Sequence, residues 1–259
     1  MDFSLLNKIL SGNFDLTDCS KEELDAVTEL RACNGTLQRD EVYWDFSPFP
    51  NLKKLDFDGS HITELNLTNN SKLEEIEWTA LNQLKTIDLS GNPELRSYNA
   101  AQDHIKCLDF SNNPKLEKLS VFLSSSLKWL NLDNCHNLKH IFLKGTLIPI
   151  IDITSCHQLE SLNAHYWNTY QNKYDYYGPG FPRPIIFAPS DFNEDIIPGD
   201  IRRISYYTYY LVRTAPDSKE YKYLQQLKEN KERFLNIRDD NFHGLGRIFY
   251  EIKDELDSL

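Results

Sequence analysis

The chain has 259 residues, 40% of them hydrophobic and 26% charged, which is enough apolar material for a continuous core in one elongated domain. A formal charge of −11 and a pI near 5.1 weigh against nucleic acid or anionic lipid as the main partner, because phosphates are repelled, and favour a neutral or basic protein. Five cysteines, an odd number with no recognisable secretory leader, read as reduced thiols rather than a disulfide framework.

Residues 1–50 are expected to form a helical N-terminal cap. Phe3, Leu5, Leu6 and Ile9 give a short amphipathic helix, which Asp2, Asn7 and Lys8 interrupt too often for a targeting segment. Ser20 with Glu23 spells a capping box that opens a second helix running to about residue 32 and ending at Asn34-Gly35. Trp44, Phe46, Phe49 and Leu52 then fall at the offsets of the repeat that follows, as an aromatic first half-coil.

From 51 to 164 the pattern L-x-x-L-x-L-x-x-N recurs in two interleaved sets. The first is Ile62/Leu65/Leu67/Asn70, Leu84/Ile87/Leu89/Asn92, Ile105/Leu108/Phe110/Asn113, Leu127/Leu130/Leu132/Cys135 and Ile148/Ile151/Ile153/Cys156, with last members 22, 21, 22 and 21 residues apart. The second is Leu52/Leu55/Phe57, Leu73/Ile76/Trp78, Leu95/Tyr98/Ala100, Leu116/Leu119/Val121, Leu138/Ile141/Leu143 and Leu159/Leu162/Ala164. In L-x-L both apolar residues point to one side of a strand and the residue between them to the other, so each coil carries two short strands with apolar sides inward. The Asn closes a tight turn by bonding backbone groups that would otherwise be buried unpaired. No coil can bury its apolar residues alone, so the coils stack and the ends need caps.

The segments ITELNLTNN, LKTIDLSGNPEL and IKCLDFSNNPKLEKL resemble the bacterial leucine-rich repeats of about 21 residues in internalin-type and Bacteroidetes proteins. The resemblance covers 51–164. It implies an α/β leucine-rich-repeat solenoid over 51–167, of about six coils, with short parallel strands on both flanks and helical caps at both ends. It also implies a binding scaffold without naming its ligand. No secretion signal, wall-sorting tail or apolar transmembrane run is recognised, so a cytoplasmic location is expected, with export lacking a cleavable signal as the alternative. The sequons at Asn34, Asn66 and Asn69 then read as accidents of an Asn-rich repeat.

Past Trp167 the composition changes, and 168–259 reads as an insertion followed by a helical cap. Tyr, Pro and Gly crowd residues 166–190, leading into Pro184-Ile185-Ile186-Phe187, expected as an edge strand over the last coil. Residues 201–213 fit a helix by Ile201, Ile204 and Leu211, and a strand by their β-branched and aromatic content; both stay open. Helices are expected over 217 to about 237, with Tyr221, Leu224 and Leu227 on one face, and over about 241–256, with Leu245, Ile248, Phe249, Ile252 and Leu256 in a stripe.

Chemistry is sparse. There is no G-x-G-x-x-G, Walker loop, H-E-x-x-H or G-x-S-x-G, so no enzyme, cofactor or metal is expected. Cys135-His136 and Cys156-His157 stack one coil apart and offer zinc-type ligands, but a Cys in the inward Asn slot turns the neighbouring His away. The outward column Asn66, Asp88, Asp109, Asn131, Asp152 is expected as a solvated ladder, with calcium the sharper alternative. Cys107 is the thiol expected to be exposed.

The two flanks differ. Outward residues of the first set are monotonous, whereas those of the second vary and turn aromatic: Lys118, Ser120, Phe122; His140, Phe142, Lys144; Ser161, Asn163, His165. The frame does not require outward aromatics, so Phe122, His140, Phe142, Lys144, Asn163, His165 and Tyr166 are the candidate partner surface. The competing reading is that the insertion or the C-terminal helices cover them, and Trp129 and Ile150 pose the same question on the other flank. The expected function is a non-enzymatic protein-interaction scaffold from a bacterium, of immunity or effector/adaptor type, whose partner is a toxin or a host protein and neither nucleic acid nor membrane. The alternatives are carbohydrate binding by the insertion's aromatics, or an effector enzyme with its activity in residues 190–259.

Overall fold

The computed structural model describes residues 19–32, 43–58, 62–80, 83–101, 103–164, 184–197, 209–236 and 242–259. In chain order, helix α1 (Lys21–Asp25) is followed by strands β1 (Glu29–Ala32), β2 (Tyr43–Asp45), β3 (Lys54–Asp58), β4 (Glu64–Asn66), β5 (Glu75–Thr79), β6 (Ser97–Ala101) and β7 (Cys107–Asp109). Then come β8 (Lys118–Phe122), β9 (Trp129–Asn131), β10 (His140–Phe142), β11 (Ile150–Asp152), β12 (Ser161–Asn163), β13 (Ile185–Pro189) and β14 (Tyr210–Thr214). Helices α2 (Lys219–Glu229), α3 (Glu232–Leu235) and α4 (Phe242–Asp257) close the chain.

The second strand set makes one flank, a parallel seven-stranded sheet ordered β1-β3-β5-β6-β8-β10-β12. Its register advances one coil at a time, Leu30 opposite Leu55, Ile76 opposite Tyr98, and Leu119 opposite Ile141. The first set makes the other flank in three pieces, β2-β4, β7-β9 and β11-β13-β14. Between the two lies one apolar core running from Val27 to Ile197. Trp44, Phe46, Phe49 and Leu52 are buried in it, as the repeat offsets predict. Leu67, Leu89, Leu108, Leu130 and Leu132 are buried too, whereas Leu65 and Ile87 are half-buried, in the stretch where the first flank has a gap between β4 and β7.

A buried ladder holds the coils in register. Asn70 Nδ2 donates to the carbonyls of Phe46 and Phe49, Asn92 Nδ2 to Leu67 and Asn70 at 3.0 and 2.9 Å, and Asn113 Nδ2 to Leu89 and Asn92 at 3.1 and 2.8 Å. Each amide thus ties its own turn to the carbonyls of the coil before. Asn92→Ala is expected to cost about 1–3 kcal/mol, because two buried carbonyls lose their donor; a thermal melt indistinguishable from the parent would contradict this. Cys135 and Cys156 fill the same slot, with Cys135 Sγ 3.5 Å from the carbonyl of Phe110. Burial pushes the Cys135 thiol up to about 12, so it is an inert core group. Just before Asn92 the coils approach so closely that a Cβ on Gly91 would lie 2.5 Å from the Thr68 carbonyl oxygen. Gly91→Ala therefore pushes two backbones apart, and urea unfolding is expected to show a loss of about 1–3 kcal/mol.

Asp103 is a carboxylate buried against the solenoid core, at 4% exposure. Asp103 lies beside Trp78 and Tyr98; burial raises its pKa, against the opposing pull of hydrogen bonds from Ser124, Trp78 and the amide of Ile105. A raised folded pKa means that the native state holds its proton longer than the unfolded chain. Stability is then lost as pH rises from the ordinary carboxylate range through the folded value, and the penalty is complete above it. Asp103→Asn, which cannot ionise, should melt above the parent at neutral pH, and the gap should close on acidification.

Strand pairing crosses both ends of the stretch in which the repeat is easily read. The capping box is present, with Glu23 N–H donating to Ser20 Oγ and Ser20 N–H to the Glu23 carboxylate, but α1 stops at Asp25 rather than near residue 32. Val27 and Thr28 are β-branched, and Glu29–Ala32 pairs with β3 as a strand. Residues 1–18 lie outside the described residues. At the other end, Ile185-Ile186-Phe187 is the central strand of its sheet, not an edge, and β14 resolves the open reading of 201–213 as strand over its last part. Residues 201–208 lie outside the described residues. The helix expected over 217–237 is two, α2 capped by Ser218 and ended at Asn230, then α3. The stripe expected over 241–256 is α4.

Candidate protein-recognition surface

The outward positions of the first flank are a structural device. At each coil a short polar side chain accepts the amide two residues on: Ser47 N–H to Asp45, Thr68 to Asn66, Ser90 to Asp88, Ser111 to Asp109, Asp133 to Asn131 and Thr154 to Asp152. This side-chain turn is why the column alternates only between Asn and Asp. Neighbouring members also bond across coils, Asn66 Nδ2 to Asp45 at 2.8 Å and Asn131 Nδ2 to Asp109 at 3.1 Å. Asp88 and Asp109 are exposed, as a solvated ladder requires, and the column is also a turn ladder; Asp152, with 8% exposure, is the member that is buried.

The C-terminal helices cover this flank toward its end. Trp129 and Ile150, with 6% and 4% exposure, join Ile185, Phe187, Val212, Leu224, Leu227, Phe234, Phe249, Ile252 and Leu256 in a second apolar core outside the first. Phe234 stacks on Trp129 with ring centroids 5.5 Å apart. Lys228 pairs with Asp133 and, at 2.9 Å, with Asp152; burial pulls its pKa down, but the two carboxylates outweigh that and hold the ammonium charged. Cys107, expected to be exposed, is half-buried against this core, and burial raises its thiol pKa.

On the seven-stranded flank the candidate residues converge. Phe122 and Phe142, from adjacent strands β8 and β10, are half-buried with centroids 6.1 Å apart, and Lys144 Nζ lies 5.9 Å over the Phe122 ring. Neither ring belongs to either apolar core formed by the described residues. His140 Nδ1 lies 3.0 Å from Ser161 Oγ and Nε2 3.9 Å from Glu160. These two contacts orient the imidazole. Asn163 completes the outward row on β12. His165 and Tyr166 lie outside the described residues, as does the aromatic insertion on which carbohydrate binding would rest.

Sequence reasoning missed one feature beside this patch. Lys53, Glu74, Arg96, Glu117, Lys139 and Glu160 follow one another coil by coil with alternating charge, and Lys53–Glu74 and Arg96–Glu117 close at 2.8 Å. Lys139 and then Arg96 hold the Glu117 carboxyl below the ordinary range. Arg96, Lys115, Glu117, Asn137, Lys139 and Gln158 line a polar groove of about 270 Å³. The alternation is visible in the sequence at the repeat spacing.

Among the described residues no group of three or more His, Cys, Asp or Glu side chains is placed to hold a metal. Cys135 and Cys156 point inward while the rings of His136 and His157 stack 5.9 Å apart in exposed positions, so the four do not converge. In the C-terminal region Arg213–Glu194, Arg233–Glu251, Arg233–Glu255 and Lys253–Asp257 form ion pairs, and Lys228 binds the helices to the solenoid.

Coils of 21 or 22 residues, a buried asparagine ladder and parallel strands on two flanks decide the architecture. It is a leucine-rich-repeat solenoid. No protein-family model matches the chain, and no curated protein matches it in sequence. Among solved structures it is similar to the functional domain of InlJ from Listeria monocytogenes, described as including a cysteine ladder, at 19% identity over 69% of this chain and 35% of that one, with a TM-score of 0.40. It is also similar to the internalin inlF from Listeria monocytogenes str. 4b F2365, at 18% identity over 82% of this chain and 62% of that one, TM-score 0.41. A third likeness is to TLR13 in its complex with ssRNA13, at 17% identity over 56% of this chain and 30% of that one, TM-score 0.34. The chain thus spans less than two thirds of each of these, and at such identities and TM-scores none bears on what this solenoid binds. No helix among the described residues is long and apolar enough to cross a membrane.

Proposed function

We propose that the solenoid is a non-enzymatic scaffold that recognises a protein partner on the outward face of its seven-stranded flank, around β8, β10 and β12. Phe122 and Phe142 would form the centre, with His140, Lys144 and Asn163 around them and His165 and Tyr166 next along the chain. One contrast supports this reading. The apolar outward residues of the first flank are buried under the chain's own helices, whereas Phe122 and Phe142 touch each other and stand outside both cores. Aromatic residues are enriched at the centres of protein interfaces, inside a polar rim, and coils ordered in advance lose little conformational entropy on binding.

The proposal extends to an immunity or effector/adaptor role with a toxin or host protein as partner, acting in the cytoplasm or after export without a cleavable signal. Affinity capture with mass spectrometry from the native organism tests it, run in parallel with the intact chain and with Phe122→Ala/Phe142→Ala. A protein recovered by the first and lost by the second is the expected result. A partner retained equally by both places the interface elsewhere and overturns the assignment of the face.

A further inference from the structure

Beside the aromatic pair, one corner of the solenoid holds a larger residue than its counterparts do. Where β8 ends the chain turns through Leu123 in the left-handed region, at φ 55°. The strand registers place Ala80, after β5, and Gly145, after β10, at the same corner of other coils: Thr79 pairs with Ala101, Ala101 with Phe122, and Phe142 with Ser120. Both have positive φ as well, 60° and 78°. Residue 102, at the corner after β6, lies outside the described residues. The backbone makes this turn. Ala80 N–H donates to the Ala101 carbonyl and Leu123 N–H to the Lys144 carbonyl, both at 2.9 Å, so the bond that closes the corner forms with a methyl side chain as well as with an isobutyl one. Left-handed backbone is strained for a residue with a Cβ, and the coil has no need of a large side chain there.

The Leu123 side chain has no place in the solenoid interior. It is half-buried and, like Phe122 and Phe142, packs into neither apolar core formed by the described residues. It leans over the next coil, where a Cβ on Gly145 would lie 3.0 Å from Leu123 Cδ2. The Phe122 ring bridges the same two coils through its contact with Phe142. At the end of β8 and on β10, three apolar side chains thus stand together outside the cores.

Resting on the proposed function above, we infer that Leu123 is a third anchor of the recognition surface, and that the partner seats an apolar side chain against Phe122, Phe142 and Leu123. A leucine held in strained backbone with its side chain partly in water stabilises the fold less than an asparagine would, because asparagine accepts left-handed backbone readily. Leu123 therefore gives up stability for contact area, and substitution separates the two.

Peptides selected from a displayed random library on the intact chain, counter-selected on Phe122→Ala/Phe142→Ala and synthesised, are the probe. The survivors are expected to share an apolar residue. Leu123→Asn should raise their Kd about tenfold or more while melting at or above the parent, by up to about 4 °C. Leu123→Met, which keeps an apolar side chain of similar volume on the same backbone, should bind within about threefold of the parent. Leu123→Asn melting below the parent would make the leucine a packing element of the corner, and an unchanged Kd would place it outside the interface. Leu123→Met binding as weakly as Leu123→Asn would mean that the partner reads no apolar side chain at this corner. Each of these three results overturns the inference and leaves the Phe122 and Phe142 site standing. Peptides that bind the double phenylalanine variant as tightly as the parent, or no survivors at all, overturn the proposed site itself.

Discussion

Phe234→Ala should lower the stability of the chain by about 3–5 kcal/mol, more than the loss of a ladder asparagine. The ring is completely buried and stacks on Trp129, which itself stands on the outer side of β9. Truncation leaves a cavity between solenoid and helices that neither side can close, because Trp129 is fixed by the strand and Leu224 and Leu227 by α2. The loss should appear as a lowered urea midpoint, with β11, β13 and β14 exchanging amide hydrogens faster while β5, β6 and β8 keep their protection. A loss below about 1 kcal/mol would mean that the helices are an ornament on a solenoid that closes its own flank.

Phe122→Ala/Phe142→Ala should have its large effect on binding, weakening the partner by a few kcal/mol as truncation of aromatic anchors commonly does. Its melting temperature should stay close to that of the parent, since neither ring belongs to either core. The matched control is Asp88→Asn/Asp109→Asn on the opposite flank. Asn already occupies that turn position at Asn66 and Asn131, so the control keeps the turns and removes only charge, and its effect should be confined to a salt-sensitive association rate. A sharp fall in melting temperature for the phenylalanine pair would instead mean that other parts of the chain cover the rings, and would move the interface to the aromatic stretch at 166–177.

The coil architecture was legible because the frame is spelled in residue types with physical jobs: apolar pairs that must point inward, and an amide that must close a turn. It became illegible where two local signals competed. Val27-x-x-Leu30-x-Ala32 spells the second half-repeat, but the Ser20–Glu23 box and Asn34-Gly35 around it spell a helix, and only pairing with β3 decides for the strand. Ile185-Ile186-Phe187 has no alternation because both its faces are buried, one by the solenoid and one by the helices, so periodicity alone could not place it at the centre of a sheet. The apolar stripes of α2 and α4 could be read, whereas which flank they would cover could not, since that depends on contacts such as Lys228 with Asp152, 76 residues away in the chain. The turn ladder could have been found: Asn66-x-Thr68, Asp88-x-Ser90, Asp109-x-Ser111 and Asp152-x-Thr154 carry the side-chain turn in plain sight. The candidate surface was legible because the frame leaves its outward positions unconstrained.

The central claim, that the Phe122 and Phe142 rings are the recognition surface, is tested most directly by hydroxyl-radical footprinting of the intact chain, alone and with its captured partner, read at single residues. The account predicts that both rings oxidise readily in the free chain, well above the buried Phe110, and that both are protected in the complex while Tyr250 on α4 is unchanged. Rings as silent as Phe110 in the free chain, or a complex that protects Tyr250 and leaves Phe122 and Phe142 open, would contradict it.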